Sequence, residues 1–300
     1  MVTISRLVRF AVNPLNPPGT SSSAEPAESQ SIPKDSNGFA GVPAMQGLGR
    51  FYELEIICRG EPDPATGYFL DIKVIDRAAR LTMIPAITRA CYQTPNAQPQ
   101  DVLATAIAAL NIQLRGTLQS VRWMLSPFYS VELPMSSSST PASSPATNSA
   151  PVVASPSPVA LLRQRFEIAA AHRLHAPTLS DEQNRAYFGK CNNPSGHGHN
   201  YVIEPCVAVP GGPGAAANVF TVSQLEQLVE RAIIQPYDHT HLNIDRAAFD
   251  QSKPGGLNPS VENIARVFFE ALAPLVLASG ATLQSIRVWE TEKTSASYPI

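Results

Sequence analysis

An α+β fold built from two tandem units, each an antiparallel sheet with two helices packed on one face, is predicted by three observations. Strand-like alternating stretches bracket helical stretches in the second half. A charge-free segment rich in Pro, Ser and Ala divides the 300-residue chain near its middle. Three sequence anchors recur on either side of that segment in the same order.

The anchors justify the duplication. Thr117–Trp123 (TLQSVRW) matches Thr282–Val288 (TLQSIRV). Phe39–Ile56 lies over Phe188–Pro205 with Phe, Gly, Gly, Tyr and Glu in phase, and Arg9–Val12 (RFAV) lies over Arg165–Ile168 (RFEI). One such match arises by chance; three in order do not. The divider, residues 134–160, has no charge, no aromatic and no periodicity, so it buries too little apolar surface to offset ordering entropy and reads as a linker. The domains are therefore 1–133 and 161–300. A second low-complexity piece, 13–38, reads as a long loop inside the first domain.

In the second half the elements follow in order. Arg165–Ala171 alternates as a strand, and Ser180 opens a capped helical turn. Gly198–Val209 is β-branched and aromatic, a second strand. Pro-Gly-Gly-Pro-Gly marks 210–222 as a loop. Ser223–Ile234 places Leu225, Leu228, Val229, Ala232 and Ile233 on one helical face. Ser260 is an N-cap, with Asn263 near a capping-box position, for a helix carrying Ile264, Val267, Phe268, Ala271 and Leu272. Thr282–Thr291 is a further strand.

Composition excludes several classes. With 22 basic and 24 acidic residues the formal charge is −2, so no basic excess points to nucleic acid or an anionic membrane. The four cysteines are widely spread, which argues against a disulfide framework and for a reducing compartment. Residues 1–12 are too short for a signal peptide, and no apolar run reaches a membrane span. A cytoplasmic protein is expected.

The chemistry lies in the second half. All six histidines follow the linker. In Gly196-His197-Gly198-His199, residues i and i+2 of a strand share a face, so His197 and His199 are placed to hold one metal. A third nitrogen comes from the neighbouring strand, where strand parity favours His172 over His175. Three histidines with one open position is the arrangement of a catalytic zinc. Cys191 sits among the turn formers Asn192, Asn193 and Pro194, whereas Cys58, Cys91 and Cys206 sit in apolar runs; a loop thiol near cations is the reactive kind. Asp238 beside His239 is suited to fixing an imidazole tautomer. His241 has no assigned role. Glu290, at a strand end, offers two acceptors to an amidine-like N–H pair. In the first half these positions are Val42 (for Cys191), Leu48 and Arg50 (for His197 and His199) and Leu125 (for Glu290), so that copy lacks the site.

These motifs carry a resemblance. AAHRLHAPTLSDEQNRAYFGKCNNPSGHGHNY (Ala170–Tyr201), YDHTHLN, PSVEN and WETEK, in that order from about Phe166 to Tyr298, resemble the 6-pyruvoyltetrahydropterin synthase family. The resemblance implies the tunnelling fold, in which units assemble into barrels with sites at subunit interfaces, and hence a homo-oligomer. It implies Zn2+ on His172, His197 and His199, Cys191 as catalytic base helped by Asp238 and His239, and Glu290 with Thr291 as anchor of a pterin triphosphate substrate. Ser260 and Glu262 are implied as lesser contacts. Val261 stands where the family usually has Thr or Ser. The family holds two reactions on 7,8-dihydroneopterin triphosphate, one giving 6-pyruvoyltetrahydropterin and one giving 6-carboxy-5,6,7,8-tetrahydropterin. Five residues lie between Cys191 and His197, as in the first type; the second type more often has three. Arg173, Lys190 and Lys293 are candidate partners for the leaving triphosphate. The rival readings are a non-catalytic pterin-binding or scaffold protein and a metal-dependent hydrolase, which would need a carboxylate base where the sequence supplies Cys191.

Overall fold

The computed structural model describes residues 1–12, 48–135, 159–210 and 220–300. The 13–38 loop, Val42, most of the 134–160 linker and most of the 210–222 loop lie outside them. The chain divides into two compact units, the first from Met1 to Leu161 with a short segment beginning at Pro210, the second comprising Leu162–Val209 and the chain from Asn218 to Ile300.

In the first unit, β1 (Val2–Val12), β2 (Arg50–Gly60), β3 (Leu118–Met124) and β4 (Tyr129–Pro134) pair antiparallel in that order. Between β2 and β3 run α1 (Ile72–Leu81), α2 (Met83–Gln93) and α3 (Pro99–Gln113), three helices where two are expected. Alternation along β1 buries Val8, Phe10 and Val12, and β2 buries Leu54, Ile56 and Cys58; Ile75, Met83, Ile87, Leu103 and Leu110 of the helices are buried with them. β4 reaches Pro134 and β5 (Val159–Gln164) begins before 160, so both ends of the expected linker are strand residues.

In the second unit β6 (Phe166–His172) pairs antiparallel with β7 (His197–Pro210), and β7 with β9 (Thr282–Thr291), which pairs with β10 (Thr294–Tyr298). The two-residue β8 (Thr240–His241) runs parallel to β6, unlike the antiparallel pairs just described. α4 (Asp181–Phe188) carries a full capping box between Ser180 and Gln183. α5 (Val222–Val229) starts at a second capping box, Thr221 with Gln224, rather than at Ser223; it continues as a π turn over Glu230–Ile234 into α6 (Gln235–Tyr237). A short α7 (Leu242–Asp245) follows. α8 (Val261–Ala278) buries Ile264, Phe268, Leu272 and Val276, and packs on β9, where Leu283, Ile286 and Val288 are buried. Fully burying side chains of this kind is worth about 1.5–3 kcal/mol each. Ser260 is the N-cap by position, but its side chain makes no cap bond; Asn263 instead donates to the Asn258 carbonyl at 2.9 Å, so the expected capping box is absent.

The internal registers of the two units correspond. Leu54 faces Trp123 and Ile56 faces Val121 in the first; Ile203 faces Val288 and Pro205 faces Ile286 in the second. A register shift follows Ile57 in one and Cys206 in the other, positions that coincide in the sequence overlay. The overlay of Arg9–Val12 on Arg165–Ile168 does not hold, however. Phe10 lies opposite Tyr52, but it is Ile168 that lies opposite Tyr201, a slip of two residues that preserves strand parity. No helix among the described residues is long and apolar enough to cross a membrane.

Candidate active site

The site begins at the β6–β7 ladder. His172 ends β6 directly opposite His197, which opens β7, and Ala170 lies opposite His199. His197, His199 and Tyr201 therefore point to one face, and His172 joins them across the ladder. Ring centroids of His172 and His197 are 4.6 Å apart, those of His172 and His199 5.2 Å. One ligand nitrogen from each of the three histidines lies within 4.8 Å of the others, and this is the metal-suited group among the described residues.

The orientation of His172 is set by its surroundings. It is fully buried, and its Nδ1 stands 2.8 Å from the Pro259 carbonyl and 3.2 Å from the Tyr201 hydroxyl. A carbonyl only accepts, so Nδ1 carries the proton and donates, and the Nε2 lone pair faces the other two rings. Burial pushes the His172 pKa down to about 4 against the opposing pull of Pro259, and His197, His199 and His241 push the same way. His172 is thus neutral, the form a metal requires. Burial, then His199, also lowers His197. The hydroxyl of Tyr201, itself fully buried, is pushed far up by burial first and Glu290 second.

These donors fit a divalent cation. His172 Nε2 and His197 Nε2 are 3.1 Å apart; nitrogens bound at 2.0–2.1 Å to one tetrahedral ion stand about 3.3 Å apart. His199 Nε2 is buried with no hydrogen-bond partner. Glu290 Oε1 lies 3.4 Å from His172 Nε2 and 3.7 Å from His199 Nε2. With His172 neutral the first contact is no ion pair: a carboxylate faces a lone pair, which is repulsive until a cation stands among them.

Cys191 lies in a 3-10 turn, Gly189–Asn192, tied to the segment after β6. Leu174 N donates to the Cys191 carbonyl at 2.8 Å, Asn192 Nδ2 to the Leu174 carbonyl at 2.7 Å, and Arg173 Nε to the Asn192 carbonyl at 3.2 Å. The thiol is half-buried and lines a cavity of about 810 Å³ that includes His197 and His199. Burial pushes its pKa up, and the Glu290 carboxylate adds to the rise. Cys58 and Cys206 are buried, whereas Cys91 is half-buried despite its apolar run.

Asp238 and His239 sit elsewhere. Asp238 Oδ1 accepts from Ala169 N at 2.8 Å, His239 N donates to the Ala169 carbonyl at 2.6 Å, and His239 Nδ1 meets Asp238 Oδ2 at 2.7 Å. The Ala169 N–H first, and His239 next, hold the Asp238 carboxyl below its usual range. His239 is 81% exposed at φ +53. It lines a second cavity with Ala169–Ala171, Gly198 and Asn200. His199 borders both cavities, whereas Cys191 lines only the first and His239 only the second.

The remaining expected residues divide. Thr291 accepts from Lys293 N at 3.2 Å and lines a groove with Trp289 and Arg165. Ser260 directly follows Pro259, which holds His172. Glu262 is exposed on α8, and no described contact ties it to the histidines. His175 lies beyond the end of β6, so strand parity does not apply to it; its Nδ1 meets Asn192 Nδ2 at 3.2 Å. His241 abuts Gly196, where an added Cβ would lie 2.6 Å from its Nε2. Two contributors escaped sequence reasoning. Tyr201 was readable, being two residues beyond His199 on the same face; the Pro259 carbonyl carries no sequence signal.

Comparison with known proteins bears on this geometry. A family model described as 6-pyruvoyl tetrahydropterin synthase matches residues 161–299. The human 6-pyruvoyl tetrahydrobiopterin synthase is 37% identical over 139 residues, covering 46% of this chain and 90% of that protein. The Drosophila melanogaster protein of the same name is 36% identical over 141 residues, covering 47% and 80%. Among solved structures, the Caenorhabditis elegans 6-pyruvoyl tetrahydropterin synthase aligns at 30% identity with a TM-score of 0.42, over 47% of this chain and 96% of that one.

Proposed function

This chain belongs to the 6-pyruvoyl tetrahydropterin synthase family, a family of lyases, and from that premise we propose that its second unit eliminates triphosphate from 7,8-dihydroneopterin triphosphate, with one zinc ion held by His172, His197 and His199. The observation that carries this reading is the convergence of three imidazoles, one of them (His172) buried and locked as a neutral donor by Pro259, while the other two, His197 and His199, line a cavity that also holds the Cys191 thiol. When bound, the zinc supplies a Lewis acid at which hydroxyls of the substrate side chain are held and acidified.

The chain's own residues do the rest. Cys191, as thiolate, removes a proton from a side-chain carbon, and the electron pair left behind expels triphosphate from its neighbour. A cation held by the three histidines would oppose the upward push of burial on this thiol. Glu290 receives the pterin's paired N–H groups, with Thr291, Ser260 and Glu262 as lesser contacts. Asp238 orients His239 for proton transfer. Because that pair lies outside Cys191's cavity, a second copy of the chain supplies it, and the protein acts as a homo-oligomer.

The first unit is a second copy of the same fold that lacks the ligand set. The matching registers and the shared bulge support this. It contains no histidine, and at the position of His199 it carries Arg50, whose guanidinium hydrogen-bonds Cys91.

The test is direct. Zinc-loaded chain incubated with 7,8-dihydroneopterin triphosphate is expected to release one triphosphate per 6-pyruvoyltetrahydropterin, read by mass. Formation of 6-carboxy-5,6,7,8-tetrahydropterin with acetaldehyde would assign the other reaction, and an unchanged substrate would overturn the reading.

A further inference from the structure

The chain carries more acidic than basic residues, yet the cavity at Cys191 inverts that balance. Arg173, Arg185 and Lys190 all line it, against the single carboxylate of Asp181. Three separate pieces of backbone deliver these cations: the segment after β6, the last turn of α4, and the 3-10 turn of Cys191 itself. Arg173 uses its Nε on the Asn192 carbonyl, and no described contact occupies its terminal nitrogens. Arg185 meets Glu182 at 3.1 Å, but both side chains are well exposed, so the pair holds it weakly. Among the described contacts Lys190 has no carboxylate partner.

The charges are therefore segregated along the site. An anion, Glu290, stands at the histidines, and the cations stand on the wall that carries Cys191. A molecule with N–H donors at one end and several phosphates at the other fits that polarity in one direction only. We infer that Arg173, Arg185 and Lys190 form the cradle for the triphosphate end of the substrate, with Arg185 and Lys190 as its binding residues on α4 and the following turn. This deepens the proposed reaction and rests on it for the identity of the pterin end. The cradle places the phosphates on the same wall as the base, so the leaving group departs into a positive field as the bond to it breaks. Lys293, on the turn between β9 and β10, is not among the residues of this wall.

The probe is inorganic tripolyphosphate, titrated calorimetrically into the full zinc-loaded chain, beside the uncharged 7,8-dihydroneopterin. The double variant Arg185→Ala, Lys190→Ala removes only exposed side chains and should keep the fold. It is expected to bind tripolyphosphate at least tenfold more weakly than wild type, while its affinity for 7,8-dihydroneopterin stays within twofold. Raising salt should weaken tripolyphosphate binding to wild type far more than to the variant. Equal tripolyphosphate affinity in variant and wild type, or none in either, overturns the cradle. If tripolyphosphate binding falls as expected but 7,8-dihydroneopterin does not bind at all, the cradle stands and the pterin reading fails.

Discussion

The Pro259 carbonyl stands 2.8 Å from His172 Nδ1, and this contact across the fold determines which nitrogen of His172 faces His197 and His199. Proton and lone pair are thereby assigned on opposite edges of one buried ring. The consequences are measurable without substrate.

The first concerns pH. His172 is held neutral, with its pKa pushed down to about 4, against about 6.5 when unfolded. The unfolded chain then takes up the proton first. Stability of the metal-free chain should fall as pH drops from about 6.5 to about 4 and level off below. The loss from this group is about 3 kcal/mol, at roughly 1.4 kcal/mol per pKa unit. Denaturant titrations across that range, compared with His172→Asn, check it. A variant with the same pH slope as wild type would remove His172 as the cause.

Glu290 and Cys191 are coupled electrostatically, since the carboxylate contributes to the rise in the thiol's pKa. Glu290→Gln should bring that pKa down, so iodoacetamide should alkylate the metal-free variant several-fold faster at pH 7.5. The full pH profile of alkylation separates a shifted pKa from altered access. An unshifted profile would disconnect the two residues.

Glu290→Ala should also weaken binding of the pterin itself. Hydrogen bonds to a charged group contribute about 1.5–3 kcal/mol, which corresponds to roughly a ten- to hundredfold loss. Zinc content should stay near wild type, because the three histidines remain. Loss of zinc together with pterin would mean that Glu290 serves the metal rather than the substrate.

Gly196 sits at φ +71, and an added Cβ would lie 2.6 Å from His241 Nε2 and 3.0 Å from the His172 carbonyl. Gly196→Ala therefore combines a left-handed backbone with a clash and should destabilise by about 1–3 kcal/mol. Adding His241→Ala should restore only the part due to the imidazole. Full restoration, read from unfolding midpoints, would mean that the backbone carries no strain there.

Cys191 and His239 line different cavities. If a second chain completes the site, Cys191→Ala and His239→Ala chains, each inactive alone, should regain part of the turnover when coexpressed. Both should bind zinc normally. No recovery in mixed oligomers would place the pair's role within one chain or remove it.

Much of this site was legible because its logic is local. Two histidines two residues apart on a strand share a face whatever the rest of the fold does, and β7 obeys this. The turn formers around Cys191 likewise declare a loop, and Thr282–Thr291 is a strand to the residue. Where local signals competed, reading failed. The helical stretch expected from Ser223 starts earlier, because Thr221 has Gln224 at capping-box spacing. Ser260 sits at a helix start without using its hydroxyl. His175 was weighed by strand parity although the strand stops at His172.

The sequence by itself determined the residue types of the site, the strand face that carries two of its ligands, and the half of the chain in which they lie. Only the tertiary structure decided how those residues are used. His172 meets Pro259 across 87 positions of chain, Glu290 reaches the histidines from a strand paired on the far side of β7, and Cys191 is tied to Leu174 beyond the end of β6 whereas His239 is tied to Ala169 within it. Periodicity reports the direction of a side chain relative to its own backbone. Which groups then meet, and which are desolvated in meeting, depends on the packing of elements far apart in sequence, and no short-range pattern encodes that.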